Sequence, residues 1–201
     1  VIRQACSDGR KWMDEGIVER SFMVHVNVST RQLSEAAFVE RVMGTLRETN
    51  VDAAHLTLEI TEKTMLSDNP AVMRTLNALK RLGVKLALDD FGTGYSSLSL
   101  LQKFPIQRLK IDRSFVNGVA DDLSARSLVR TIIAMGDSLG LDMVAEGVES
   151  VRQLQALAEL RCAKAQGYLI SHPVAPESMG ATVASLTQFG EWSKLRGRNP
   201  R

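Results

Sequence analysis

Short apolar segments alternating with helical patterns constrain this chain more than any other feature. Strand candidates recur at residues 22–28, 56–60, 84–89, 108–111, 141–145 and 165–170. Helical patterns lie between them, over 34–49, after Asp68-Asn69-Pro70 as far as Gly83, over 123–139 ahead of Gly140, and from Ser150 onward. The helix ends carry their own chemistry. Asn69 is a capping residue ahead of a proline at the first helical position, and Gly83 and Gly140 are stop signals. Gln153, three residues after Ser150, has the spacing of a capping box. Such alternation implies parallel strands with right-handed crossovers, in a closed barrel or an open doubly wound sheet. No Gly-x-Gly-x-x-Gly follows the first strand, which weakens the dinucleotide-binding open sheet.

Polar residues interrupt these strands where they end. Asn27 closes the first, Glu59 the second, Asp89 and Asp90 the third. Lys110 and Asp112 bracket the end of the fourth, Glu146 and Glu149 follow the fifth, and Gln166 lies in the sixth. In a barrel of parallel strands the carboxyl-terminal rim collects the active site. Six successive strands would therefore each deliver an oxygen donor or a charge to one rim. The densest point is Asp89-Asp90-Phe91-Gly92-Thr93-Gly94-Tyr95-Ser96-Ser97, which follows an apolar run too short to be a helix. Its glycines and small hydroxyl residues let the backbone turn sharply. Paired carboxylates at a strand end hold hard divalent cations through oxygen. An Asx-type turn joining strand to helix is the alternative for these two residues alone.

A chain of 201 residues, 44% of them hydrophobic, fits one domain over 1–201 with a full core. Charge is nearly balanced, 25 basic against 23 acidic residues, so no strong field draws a nucleic-acid polymer or a membrane. A basic tail over 190–201 reads as a solvated terminus. No apolar run reaches the roughly 20 residues that span a bilayer, and no secretory signal is visible. Cys6 and Cys162, far apart and in core-like patterns, suggest reduced thiols in a cytoplasmic protein. His25 alternates with Val24 and Val26 and reads as a satisfied barrel-facing or helix-facing side chain, not a zinc ligand; His25 and His55 form no spaced ligand set. The eight methionines are dispersed and read as core filler.

Several motifs resemble those of the EAL domain in order and spacing: Asn27-Val28-Ser29, Glu59-Ile60-Thr61-Glu62, the nonapeptide from Asp89, Lys110-Ile111-Asp112, Ala145-Glu146-Gly147-Val148-Glu149 and Gln166-Gly167-Tyr168. The resemblance runs over about 5–173 and implies an α/β, TIM-like (β/α) barrel of EAL type. It also implies a bacterial phosphodiesterase that opens cyclic di-GMP to linear pGpG using two divalent cations, Mg²⁺ or Mn²⁺. By the same resemblance Asn27, Glu59 and Asp89 are ligands of one cation, Asp89 and Asp90 serve a second, and Glu146 is a further ligand or a neighbour of its water. Lys110 resembles the lysine that orients or deprotonates the attacking water, with Glu149 as its partner. A solvated strand-end lysine pairing with Asp112 is the plainer reading of Lys110. Glu62 resembles the residue that anchors the 89–97 loop, against the plainer reading of a helix cap. The implied substrate contacts are Asn27, Asp90, Asp112, Gln166 and Pro173.

Two departures stand out. The namesake Glu-Ala-Leu motif and its strand are expected upstream of Val1, so the first one or two strands of the barrel are expected to be missing from this chain. On that expectation residues 1–201 alone hydrolyse cyclic di-GMP poorly, whereas an extended chain is active. Arg161-Cys162-Ala163 stands where the family usually has Gly-Cys-Asp, and His172 where Arg or Lys is common, which implies local packing differences. The family also implies a homodimer, and sensor or GGDEF domains in a longer parent that can itself be membrane-tethered. The rival reading is a catalytically impaired receptor for cyclic di-GMP or an interaction module. A TIM-barrel enzyme of another family would make the nonapeptide a coincidence.

Overall fold

Side-chain alternation decides which face of each strand is buried against helices and which is left for chemistry. The computed structural model describes residues 1–66, 69–92 and 98–186, in two compact units. The first, Val1–Arg108, runs α1 (Ile2–Asp14), β1 (Val24–Asn27), α2 (Thr30–Leu33), α3 (Phe38–Thr49), β2 (Leu56–Thr61), α4 (Glu62–Leu66), α5 (Pro70–Leu82), β3 (Lys85–Phe91) and α6 (Leu98–Lys103). β1, β2 and β3 pair in parallel, Val24 opposite Leu56 through Asn27 opposite Glu59, then Thr57 opposite Lys85 through Thr61 opposite Asp89. Val24, Val26, Leu56, Leu58, Ile60, Leu86 and Leu88 share one parity and are buried. α1 packs on β1 and α5 on β3, with α3 contacting both helices. The opposite parity carries His25, Asn27, Thr57, Glu59, Ala87 and Asp89.

The second unit, from Leu109 onward, contains all but the first residue of β4 (Arg108–Ile111), then α7 (Arg113–Val116), α8 (Leu123–Ser138), β5 (Asp142–Ala145), α9 (Val151–Glu159), β6 (Lys164–Ala165) and α10 (Met179–Leu186). β5 and β6 are parallel, with Val144 opposite Lys164 and Ala145 opposite Ala165. Beyond the end of β5, Glu146 N–H donates to the Ile111 carbonyl of β4 at 3.1 Å. Among the described residues no helix is long and apolar enough to cross a membrane.

Cap chemistry explains the long helices. Asn69 Oδ1 accepts from Ala71 N–H at 2.9 Å ahead of Pro70, and Gly83 closes α5 at φ +96°, a conformation that costs glycine little. Ser150 and Gln153 form a reciprocal capping box on α9. Two expectations change. The helix placed over 34–49 starts at Phe38, because the preceding residues first make α2, capped by Ser29 and Gln32. The strand placed over 165–170 shrinks to Lys164–Ala165, because Gly167 O accepts from Ile170 N–H at 3.0 Å and Ser171 N–H at 3.2 Å, closing a turn. The 190–201 tail lies outside the described residues.

Both cysteines are free and buried, Cys6 at 0% exposure, and Cys162 Sγ donates to Lys164 O at 3.4 Å. Burial pushes the Cys6 thiol above its ordinary value, since desolvation disfavours the thiolate. The protonated thiol therefore favours the fold at neutral pH, and that contribution is lost as the pH rises through the raised value. Thiol titration with a disulfide reagent at pH 8 should accordingly label neither cysteine rapidly in the native protein and both after denaturation. Rapid native labelling of Cys6 would contradict its burial.

Candidate functional site

In the first unit the parallel register places the oxygen donors. Asn27 and Glu59 are direct partners across β1 and β2, while Asp89 is one step further along, opposite Thr61 and two residues beyond the partner of Glu59. All three therefore lie on one face, at the carboxyl ends of adjacent strands. Glu59 is only 6% exposed, Asp89 is half-buried and Asp90 is exposed. The strand turns as it ends: Asp90 adopts φ +54° and Gly92 φ +100°, and Asp90 N–H donates to Asp89 Oδ1 at 3.1 Å. A left-handed Asp costs on the order of 1 kcal/mol and is tolerated chiefly where the surroundings enforce it.

Glu62 supplies part of that enforcement. It opens α4, is 3% exposed, and its Oε2 accepts from Gly92 N–H at 3.2 Å. The carboxylate thus ties the first turn of α4 to the end of β3, and its position in a first helical turn also suits the helix dipole. Residues 93–97 of the nonapeptide lie outside the described residues. His25 is satisfied, as its alternation with Val24 and Val26 suggests, but its partner was not legible. Its Nδ1 lies 2.7 Å from Glu59 Oε1 and its Nε2 lies 2.9 Å from Arg108 Nη1.

In the second unit Lys110 is 5% exposed on β4, and its Nζ pairs with Glu146 Oε1 at 2.7 Å. The expected partner was Glu149. The backbone explains the difference: Glu146 is the first residue beyond β5 and its N–H is fixed to Ile111 O, next to Lys110. Glu149 stands exposed just ahead of the α9 cap, where its N–H donates to Gln153 Oε1 at 2.8 Å. Asp112 is a helix cap, accepting from Ser114 N–H at 2.9 Å at the start of α7. Gln166 is held by its backbone, donating to Ala145 O at 2.8 Å and accepting from Val148 N–H at 3.0 Å, with an exposed side chain. A Cβ at Gly167 would lie 2.2 Å from both Val148 N and O, so only glycine permits this close approach. Pro173 is exposed outside any helix or strand.

The donor set of the first unit is an amide and carboxylates, with no thiolate, which suits hard cations such as Mg²⁺ and Mn²⁺. Asn27, Glu59, Asp89 and Asp90 thus carry donor groups of the type that fits such a cation. A cavity of about 500 Å³, lined by Arg10, Arg20, Asp52 and His55 among others, opens at the amino-terminal ends of β1 and β2. It is therefore remote from these donors, and large size alone does not make it the site.

The sequence profile of the EAL domain matches residues 1–173. The bifunctional diguanylate cyclase/cyclic di-GMP phosphodiesterase MucR of Pseudomonas aeruginosa is 40% identical over 92% of this chain and 27% of its own length. The solved MucR phosphodiesterase, in complex with c-di-GMP, is 39% identical with a TM-score of 0.82, covering 89% of this chain and 71% of that one. The EAL domain of Mycobacterium smegmatis DcpA is 40% identical with a TM-score of 0.85, covering 91% of this chain and 82% of that one. Klebsiella pneumoniae BlrP1, in a complex with manganese and cyclic di-GMP, is 26% identical with a TM-score of 0.78, over 87% of this chain and 43% of its own. The chain spans less than a third of the length of the curated relatives it matches. With the profile matched across most of its length and the fold shared at these scores, the chain belongs to the EAL domain family, with that family's TIM-like α/β architecture.

Proposed function

We propose that this chain is the phosphodiesterase domain of a protein that hydrolyses cyclic di-GMP to linear pGpG in the bacterial cytoplasm. The observation that carries the reading is the register that lines up Asn27, Glu59 and Asp89 on one face at neighbouring strand ends. Family membership and the substrate of MucR support it. Two Mg²⁺ or Mn²⁺ ions held by Asn27, Glu59, Asp89 and Asp90 would supply positive charge to the phosphodiester and acidify the attacking water. The manganese in BlrP1 supports that choice of cation.

The chain's own residues do the rest. The carboxylates bind and would otherwise repel the anionic substrate, so they set the cation dependence. Lys110, paired with Glu146, is read as an ammonium: a donor with no lone pair, suited to orienting the water and the phosphate oxygens. The water oxygen forms the new bond to phosphorus as the bond from phosphorus to the 3′ oxygen breaks; of the water's two protons one ends on the 3′ oxygen and the other on the phosphate or in solvent, and the product is linear. Glu62 holds the Asp89–Asp90 turn through Gly92 and acts on the site through it. In this reading Gln166 contacts substrate or the water network.

The test is pGpG formation by the full-length protein at fixed Mg²⁺ or Mn²⁺. Asp89→Asn should lower turnover at least about 100-fold, and a chelator should abolish it. Full activity in Asp89→Asn would overturn the metal assignment. Lys110→Ala should lower kcat by about 10²-fold or more with a much smaller change in KM, because the ammonium acts on the reacting groups. A change confined to KM would make it a binding residue. Glu62→Ala should raise the Mg²⁺ concentration needed for half-maximal rate; an unchanged metal dependence would leave Glu62 as a helix-end carboxylate only. Tight cyclic di-GMP binding without pGpG would instead mark a receptor.

A further inference from the structure

We infer that His25, its tautomer fixed by Arg108, is a positioning residue that presents Glu59 to the cation. The inference rests on the metal reading of Glu59 given above and deepens it. His25 and Arg108 belong to none of the motifs that mark the family in this chain, and the same unit contains all three residues.

The argument is one of donors and acceptors. A guanidinium only donates, so the 2.9 Å contact between Arg108 Nη1 and His25 Nε2 requires Nε2 to be the accepting nitrogen. Nδ1 then carries the hydrogen, and it points at Glu59 Oε1, 2.7 Å away. The short contact is therefore a directed Nδ1–H···Oε1 hydrogen bond in a chain Arg108→His25→Glu59. Register makes this geometry available: His25 and Asn27 share the face of β1 whose partners on β2 are Thr57 and Glu59, so the imidazole reaches diagonally along the sheet. The ring is about one-third exposed and the carboxylate is buried. A hydrogen bond at Oε1 fixes the rotation of the carboxyl plane, and an ionised carboxylate with two oxygens has lone pairs enough to bind a cation as well. Hydrogen-bonded partners behind metal ligands commonly contribute about 10- to 100-fold in metal affinity.

Mn²⁺ affinity, read by electron paramagnetic resonance on the full-length protein without substrate, tests this. His25→Leu, which keeps bulk and removes the donor, should weaken Mn²⁺ binding about 10-fold or more. His25→Asn, whose side-chain N–H₂ stands near the place of Nδ1–H, should recover most of that affinity. Thermal unfolding without metal is measured alongside, because a purely structural role would lower stability in both variants and leave the Mn²⁺ affinity of the folded fraction unchanged. Equal affinities in the wild type and His25→Leu would overturn the inference while leaving the metal site standing. Failure of the wild type to bind Mn²⁺ would overturn both.

Discussion

A carboxylate at 6% exposure in the middle of a parallel sheet is the constraint on which the first unit depends. Removing an ionised carboxylate from water costs several kcal/mol unless charge or hydrogen bonds replace its hydration. Glu59 meets that cost locally through His25, and the strand register sets Asn27 directly opposite it. The same alternation that faces Glu59 away from the helices also turns Leu58 and Ile60 toward them, both at 0% exposure. A slip of one residue in β2 would bury the carboxylate among leucines and expose the leucines to the polar face. The apolar core and the donor row therefore enforce one another: neither register nor site can shift without the other failing.

Much of this was legible from the chain because it depends on local chemistry. The caps at Asn69, Ser150 and Gly83 are short-range hydrogen bonds and backbone conformations, and they fall where residue type places them. The strand cores follow from apolar runs, and the parity of Asn27, Glu59 and Asp89 follows from counting once the strands are paired. The family resemblance rested on motifs that recur at strand ends, and the profile match extends over the same ground. What failed to show depended on partners distant in sequence. Nothing in residues 165–170 distinguishes a strand from a turn until Gly167 is seen against the Val148 backbone. Glu149 and Glu146 are equally acidic and only three residues apart. The choice between them as partner of Lys110 is made by one backbone hydrogen bond to Ile111. His25 was legible as satisfied but not as bonded to Glu59 and Arg108, which lie 34 and 83 residues away.

The Lys110–Glu146 pair is hard to explain by stability alone. An ammonium at 5% exposure and its carboxylate pay desolvation that their attraction recovers only in part. Apolar residues of similar volume at both positions would leave such a fold as stable, or more stable, by commonly observed margins. The pair is held in the interior at its lysine end. The backbone is arranged to keep it: Glu146 N–H is committed to Ile111 O, and Val148 N–H to Gln166 O, which pins the 146–148 segment at both ends. Two backbone anchors and a glycine that admits no side chain are spent on holding one carboxylate beside one amine. That expense is reasonable if the amine must point its hydrogens in a fixed direction, as the proposed orientation of water and phosphate requires. A solvated lysine at a strand end would need none of it.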